Sequence, residues 1–323
     1  YTPGGGTMAL KKAVIEKLSR DNDLQYDASQ ILISCGGKHS LYNACQVLFQ
    51  TGDEVIIFSP YWVSFPDFVS VTGATPVFVN TDPSQQYEPV MDDLKTKITS
   101  RTKGIIINSP SNPTGGVWRD ETVLSVVELA EKANAWVFSD ECYEQLTYDR
   151  TYVSTAIFAE NTERILTFQS CSKTYAMTGW RIGWSVWPEN LISHVNKLII
   201  NSFSCVNVPS QFAGIAALDG SDDSIYAMMK KFDERRKLIH KLLNDLPGVE
   251  ASMPGGAFYI FPKVIGTGMN GSEFSKKCMH EAGVAIVPGT AFGATSKDYV
   301  RFSFAASNEN IEKALEKIKK MLK

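Results

Sequence analysis

The sequence has no apolar run long enough to cross a membrane as a helix, which takes about 18 uninterrupted residues. Its most apolar stretches, Ile56–Val71 and Leu198–Leu218, are broken by Pro, Asp, Asn or Gln. Positive charge is not in excess: 32 Lys and Arg stand against 35 Asp and Glu, a net charge of −3. That balance provides no basic footprint for nucleic acid and no polybasic anchor for a membrane surface. The six cysteines include no Cys-x-x-Cys pair, and the four histidines are not at metal-ligand spacing from them. Neither a disulfide framework nor a metal site is expected, and reduced thiols point to a cytoplasmic protein. Two glycine fingerprints are missing as well. The phosphate loop of nucleotide hydrolases needs a glycine five residues before Gly37, where Leu32 stands, and a hydroxyl after Lys38, where His39 stands. No Gly-x-Gly-x-x-Gly follows a predicted strand, which argues against a dinucleotide-dependent dehydrogenase. The chain opens Tyr1-Thr2-Pro3-Gly4-Gly5-Gly6, with no initiator Met and no signal-peptide pattern, so residues are expected to precede it.

What is present is an ordinary globular composition, 44% hydrophobic and 21% charged, over 323 residues. Short β-branched runs predict strands at Ile31–Ser34, Glu54–Ser59, Thr75–Val79, Gly104–Asn108, Ala135–Ser139, Arg164–Gln169 and Ile182–Val186. Helical spacing predicts helices at Met8–Ser19, Ser40–Gln50, Asp120–Asn134 and Asn190–Asn201. Strands alternating with helices imply βαβ units: an α/β fold, a three-layer large domain around a mostly parallel sheet. From Ser221 the pattern changes to a long charged helix, Ser224–Leu246, then a strand (Ala257–Phe261), a helix (Ser272–Ala282), a strand (Tyr299–Phe304) and a helix (Asn308–Leu322). The expected division is a large domain over 1–222 and a smaller α+β domain over 223–323.

In parallel α/β sheets, ligands bind at the carboxyl ends of strands. The residues just after the predicted strands share a theme: Gly36-Gly37-Lys38, Pro60-Tyr61-Trp62, Ser109 to Gly115, Asp140-Glu141-Cys142-Tyr143, and Ser170-Cys171-Ser172-Lys173 with Arg181 eight residues on. Gly36 and Gly37 let backbone N–H groups approach an anion at a helix start, although most such pairs are only turns. Lys173 sits among hydroxyls, small residues and aromatics with a second cation nearby. Desolvation and like charge lower an amine's pKa, as a Schiff-base lysine requires. Asp140 suits either a helix cap or the partner of a pyridinium nitrogen. Together these residues describe a pyridoxal phosphate site.

Ser172 to Gly183, Asn108 to Gly115, Ser59 to Ser64 and Ser139 to Tyr143 are the segments that carry a family likeness. The sequence resembles the fold-type I pyridoxal-phosphate aminotransferases of class I and II, in particular the bacterial aspartate or aspartate/prephenate branch. The resemblance implies that Lys173 holds the cofactor as a Schiff base and moves the substrate proton. It makes Asp140 the partner of the pyridine nitrogen, Tyr143 and Asn112 the partners of the ring oxygen, and Trp62 the stacking aromatic. It assigns the phosphate to Ser170, Arg181 and the amides of Gly37 and Lys38, with Tyr1 reaching the phosphate of a neighbouring subunit. It makes Arg301 the grip on the substrate α-carboxylate, with Trp62 and Asn112 also against the substrate. Lys38 stands where acidic-substrate enzymes carry a lysine for the distal carboxylate, although it also suits the phosphate.

The implied activity is two-step transfer of an amino group from aspartate or glutamate to a 2-oxo acid such as 2-oxoglutarate, oxaloacetate or prephenate, in a homodimer with shared sites. The alternatives are an enzyme of the same fold acting on neutral or aromatic amino acids, a β-lyase, or a non-catalytic regulatory module.

Overall fold

The computed structural model describes residues Tyr1–Lys323. The main sheet has eight strands: β1 (Ile31–Ser34), β2 (Glu54–Ser59), β3 (Thr75–Asp82), β4 (Glu88–Pro89), β5 (Thr102–Asn108), β6 (Trp136–Asp140), β7 (Ile165–Ser170) and β8 (Gly183–Val186). Their spatial order is β1-β8-β7-β6-β5-β2-β3-β4. The neighbours among β3, β2, β5, β6 and β7 are parallel, β8 runs antiparallel to both β7 and β1, and β4 is antiparallel to β3. Because β8 alone reverses between β7 and β1, the carboxyl ends of β1, β2, β5, β6 and β7 share one edge.

Helices cover the sheet: α1 (Met8–Asn22), α2 (Gly37–Leu48), α3 (Ser64–Ser70), α4 (Met91–Lys97), α5 (Asp120–Lys132), α6 (Cys171–Thr174), α7 (Glu189–Phe203) and α8 (Val208–Leu218). Successive strand residues face opposite sides, and the cores divide accordingly. Ile56, Phe58, Ile105, Ile107, Val137 and Ile165 join one cluster of 28 buried residues. Val55, Ile57, Ile106, Phe138, Leu166 and Phe168 join another of 18. Burial on both faces explains why these strands read as continuous apolar runs.

The C-terminal part contains α9 (Asp223–Asn244), β9 (Tyr259–Ile260), α10 (Gly271–Lys277), β10 (Val287–Pro288), β11 (Val300–Ser303) and α11 (Asn308–Met321). Its three strands form a small antiparallel sheet in the order β10-β11-β9. A third cluster of 20 buried residues lies beneath it, and Tyr143 and Leu146 of the large region join that cluster. No helix is long and apolar enough to cross a membrane.

Several local expectations change. The strand expected over Ala257–Phe261 shortens to two residues because Ala257 adopts φ 54°, outside extended geometry. The helix expected over Ser272–Ala282 is α-helical only to Lys277 and closes with a wider π turn over Cys278–Ala282. The helix expected over Asn190–Asn201 spans Glu189–Phe203, and a helix over Val208–Leu218, for which there was no expectation, follows the break where Ser204 takes φ 68°.

Candidate active site

One cavity of 470 Å³ opens at the carboxyl edge of the main sheet, bounded on the other side by the small sheet. Gly37, Lys38, Trp62, Asn112, Asp140, Tyr143, Ser170, Lys173, Arg181 and Arg301 all line it. Of the residues predicted from sequence, only Tyr1 is elsewhere, with its side chain fully exposed.

The regular ladder places the central groups. Asn108 ends β5 directly beside Asp140 at the end of β6, and Ser170 ends β7 beside Gly183 at the start of β8. The first turn of α2 starts between them. Gly36 has φ 78°, and a Cβ there would lie 2.5 Å from Arg181 Nη2. A Cβ on Gly183 would meet Gly37 N at 2.5 Å. Two glycines therefore allow the α2 backbone to sit tightly between β8 and Arg181. Arg181, itself at φ 56°, donates from Nη1 to Thr178 O (2.8 Å) and from Nη2 to Cys35 O (3.0 Å). Ser170 caps α6, its Oγ accepting from Ser172 N at 3.3 Å.

The electrostatics vary around the cavity. Asp140 is buried, and loss of water raises its carboxyl from 3.8 to about 7, against the amide of Cys142 (3.3 Å) and the charge of Lys173. Tyr143 is buried, its hydroxyl 3.1 Å from that of Tyr259, and burial foremost holds its pKa well above the usual phenol. The Lys173 ammonium lies 5.5 Å from the Phe258 ring centroid, and the Lys38 ammonium 4.9 Å from that of Trp62. Arg301 lies between the rings of Tyr259 (4.5 Å) and Phe292 (4.9 Å). It donates from Nη1 to Asn112 Oδ1 at 2.7 Å, while its buried Nε has no partner, and burial lowers its pKa. By accepting from Arg301, the Asn112 amide oxygen turns its NH₂ group into the available donor.

Sequence reasoning did not single out Tyr259, Phe258 or Phe292. Their signal was slight: the first two follow the Gly-rich turn Pro254-Gly255-Gly256. No group of three or more His, Cys, Asp and Glu is placed to hold a metal ion.

The family profile described as "Aminotransferase class I and II" matches residues 1–318. The chain belongs to this family. It is a pyridoxal phosphate-dependent aminotransferase, built on the fold-type I scaffold. It is 40% identical to the aspartate aminotransferase of Bacillus sp. strain YM-2, covering all of this chain and 84% of that one. It is 37% identical to the probable aspartate/prephenate aminotransferase of Aquifex aeolicus, covering 100% of this chain and 83% of the other. Among solved structures, the aromatic aminotransferase of Pyrococcus horikoshii superposes with a TM-score of 0.97 at 35% identity, covering 100% of this chain and 87% of that chain.

The residues present fit the aminotransferase cofactor. The glycine-lined start of α2 beside Arg181 and Ser170 suits a phosphate. A buried carboxyl tuned near neutrality suits a partner that carries a proton, and an amine lines the same cavity.

Proposed function

We propose that this aminotransferase moves the amino group of aspartate or glutamate to a 2-oxo acid such as 2-oxoglutarate, oxaloacetate or prephenate, in two half-reactions. The observation that carries the reading is the pairing of Arg301 and Lys38 as cavity-lining cations around Lys173 and Asp140. A dicarboxylic amino acid has two carboxylates to hold, and a monocarboxylic one has a single carboxylate. The names of the aspartate and aspartate/prephenate relatives support the same choice.

When bound, the cofactor supplies an electron-withdrawing ring that makes the substrate Cα proton acidic. The chain's own residues do the rest. Lys173 would hold the cofactor until the substrate amine takes its place, and the Nζ so released would accept the Cα proton. Asp140 keeps the pyridine nitrogen protonated, and its burial strengthens that pairing. Tyr143 and the Asn112 NH₂ donate to the ring oxygen. Trp62 stacks on the ring. Ser170, Arg181 and the backbone amides of Gly37 and Lys38 hold the phosphate. Arg301 grips the α-carboxylate with its planar fork, and its aromatic walls exclude water from that pair. Lys38 reaches the distal carboxylate.

The wider reading includes a homodimer in which Tyr1 reaches the partner's phosphate, a cytoplasmic setting supported by six unpaired thiols, and a division at residue 222. That 18 of the 20 residues of the third core cluster come from the C-terminal part supports the division.

The test is an absorbance spectrum with pyridoxal phosphate before and after aspartate. A visible band that changes on aspartate and is absent in Lys173→Ala supports the reading. Faster conversion of tyrosine or alanine than of aspartate under the same conditions overturns the acidic-substrate assignment. A fully active monomer overturns the shared site.

A further inference from the structure

Behind the cavity lies a buried charged network that the reaction itself does not use. Lys17 of α1 is only 2% exposed, an unusual place for a lysine. All three of its protons are occupied: it pairs with Glu144 Oε1 and donates to Asn22 Oδ1 (2.7 Å) and Gln169 Oε1 (3.0 Å). Glu144 Oε2 accepts from Asn22 Nδ2 (2.6 Å) and Gln169 Nε2 (3.0 Å). Gln169 Nε2 also donates to Glu141 Oε2 at 3.0 Å, and Gln169 Oε1 accepts from Trp184 Nε1 at 3.2 Å. Glu141 Oε1 accepts from Ser139, Ser154 and the amide of Thr155. Every member is satisfied, and such networks tend to specify a single arrangement.

The segment Asp140-Glu141-Cys142-Tyr143-Glu144 turns two faces to its surroundings. Asp140 and Tyr143 line the cavity, while Glu141 and Glu144 enter the network. Gln169 likewise immediately precedes Ser170, which stands three residues before Lys173. The network thus joins α1 to the two strand ends that carry the cofactor-facing groups.

We infer that Lys17, with Glu144 and Gln169, is a positioning residue that locks the ends of β6 and β7 together, setting Asp140 and Tyr143 relative to Lys173. Lys17 also supplies the counter-charge of the buried Glu144 carboxylate, so removing it leaves that charge unpaired and forces the segment to rearrange. The inference rests on the proposed roles of those three residues.

The experiment compares wild type, Lys17→Met, Glu144→Gln and the double variant by the dissociation constant for pyridoxal phosphate and the wavelength of the bound cofactor's visible band. Each is measured below its own thermal midpoint, with Leu243→Ala, buried in the C-terminal core, as a control for general destabilisation. Lys17→Met is expected to weaken cofactor binding at least tenfold and to move the band, while Leu243→Ala changes neither. The charge-balanced double variant is expected to recover most of the loss.

Binding by Lys17→Met within twofold of wild type overturns the inference, as does a loss that Glu144→Gln fails to relieve. If Lys17→Met does not fold, Glu144→Gln decides: it leaves Lys17 buried without its counter-charge, and wild-type binding there overturns the inference. A wild-type chain without a band overturns the proposed function and this inference with it. A wild-type band with unaffected variants overturns this inference alone.

Discussion

The eight-stranded sheet and the three-stranded sheet supply the same cavity by different physical means. The large sheet presents Asn108, Asp140 and Ser170 from the ends of strands in continuous register, packed on both faces by apolar clusters. The small sheet has two-residue and four-residue strands, and it contributes Arg301. The position of Arg301 is set by its bond to Asn112, 189 residues earlier, and by the aromatic rings around it. Most of the proposed cofactor groups are thus fixed by the large sheet, with Tyr143 and Asn112 reaching across to Tyr259 and Arg301, whereas the substrate grip depends throughout on how the two regions meet. Cofactor binding and substrate binding should therefore separate under mutation.

The largest expected effect lies on the large-sheet side. Lys173→Ala removes the proposed attachment and the proton carrier together. Transamination should fall by at least about 10³-fold, with the visible band lost, as followed by a coupled assay and a spectrum. Retained turnover would move the chemistry away from the β7 end.

Asp140→Asn should separate stability from activity. In the cofactor-free protein its carboxyl is raised from 3.8 to about 7, so the folded state keeps a proton that the unfolded chain releases. Stability from this group is present at low pH and falls as pH rises between those values. Asparagine removes that loss, by up to about 4 kcal/mol for a shift of this size. The cofactor-free variant should melt higher than wild type near about pH 8 and equally near about pH 4, while the loaded enzyme loses about 10²-fold or more in rate. Parallel thermal melts check it; a variant less stable at both pH values would contradict the burial argument.

On the small-sheet side, Arg301→Lys keeps the charge and loses the fork. We expect kcat/KM for amino acids to drop about 10-fold to 100-fold, while the cofactor dissociation constant stays within about twofold. Equal losses in both would erase the distinction between the two regions. The smallest effect is expected for Lys38→Ala, which should lower kcat/KM for aspartate about tenfold relative to alanine, because one exposed-edge charge contact is worth about 1–2 kcal/mol. A uniform loss with weaker cofactor binding would instead assign Lys38 to the phosphate.

Much of this site was legible in the chain. Each predicted strand of the large sheet appears within a few residues of its expected position, because apolar β-branched runs bounded by turn residues have few other uses. The residues after those strands were legible for the same reason: in a mostly parallel sheet they must emerge at one edge. The antiparallel direction of β8 was not legible, since direction leaves no local mark on a four-residue strand. Lys17 was not legible either. Within a helix it reads as one more solvent-facing lysine, and only the meeting of α1 with Glu144 and Gln169, separated from it by 127 and 152 residues, buries it.

The sequence by itself determined the alternation of strands and helices, the set of groups at the strand ends and their cofactor chemistry, because these rest on local periodicity and on residue type. Only the tertiary structure decided which groups face one another: Arg301 against Asn112, Tyr143 against Tyr259, and Lys17 against Glu144. Those pairings depend on long-range packing, and no local pattern encodes the distance between residues more than a hundred positions apart.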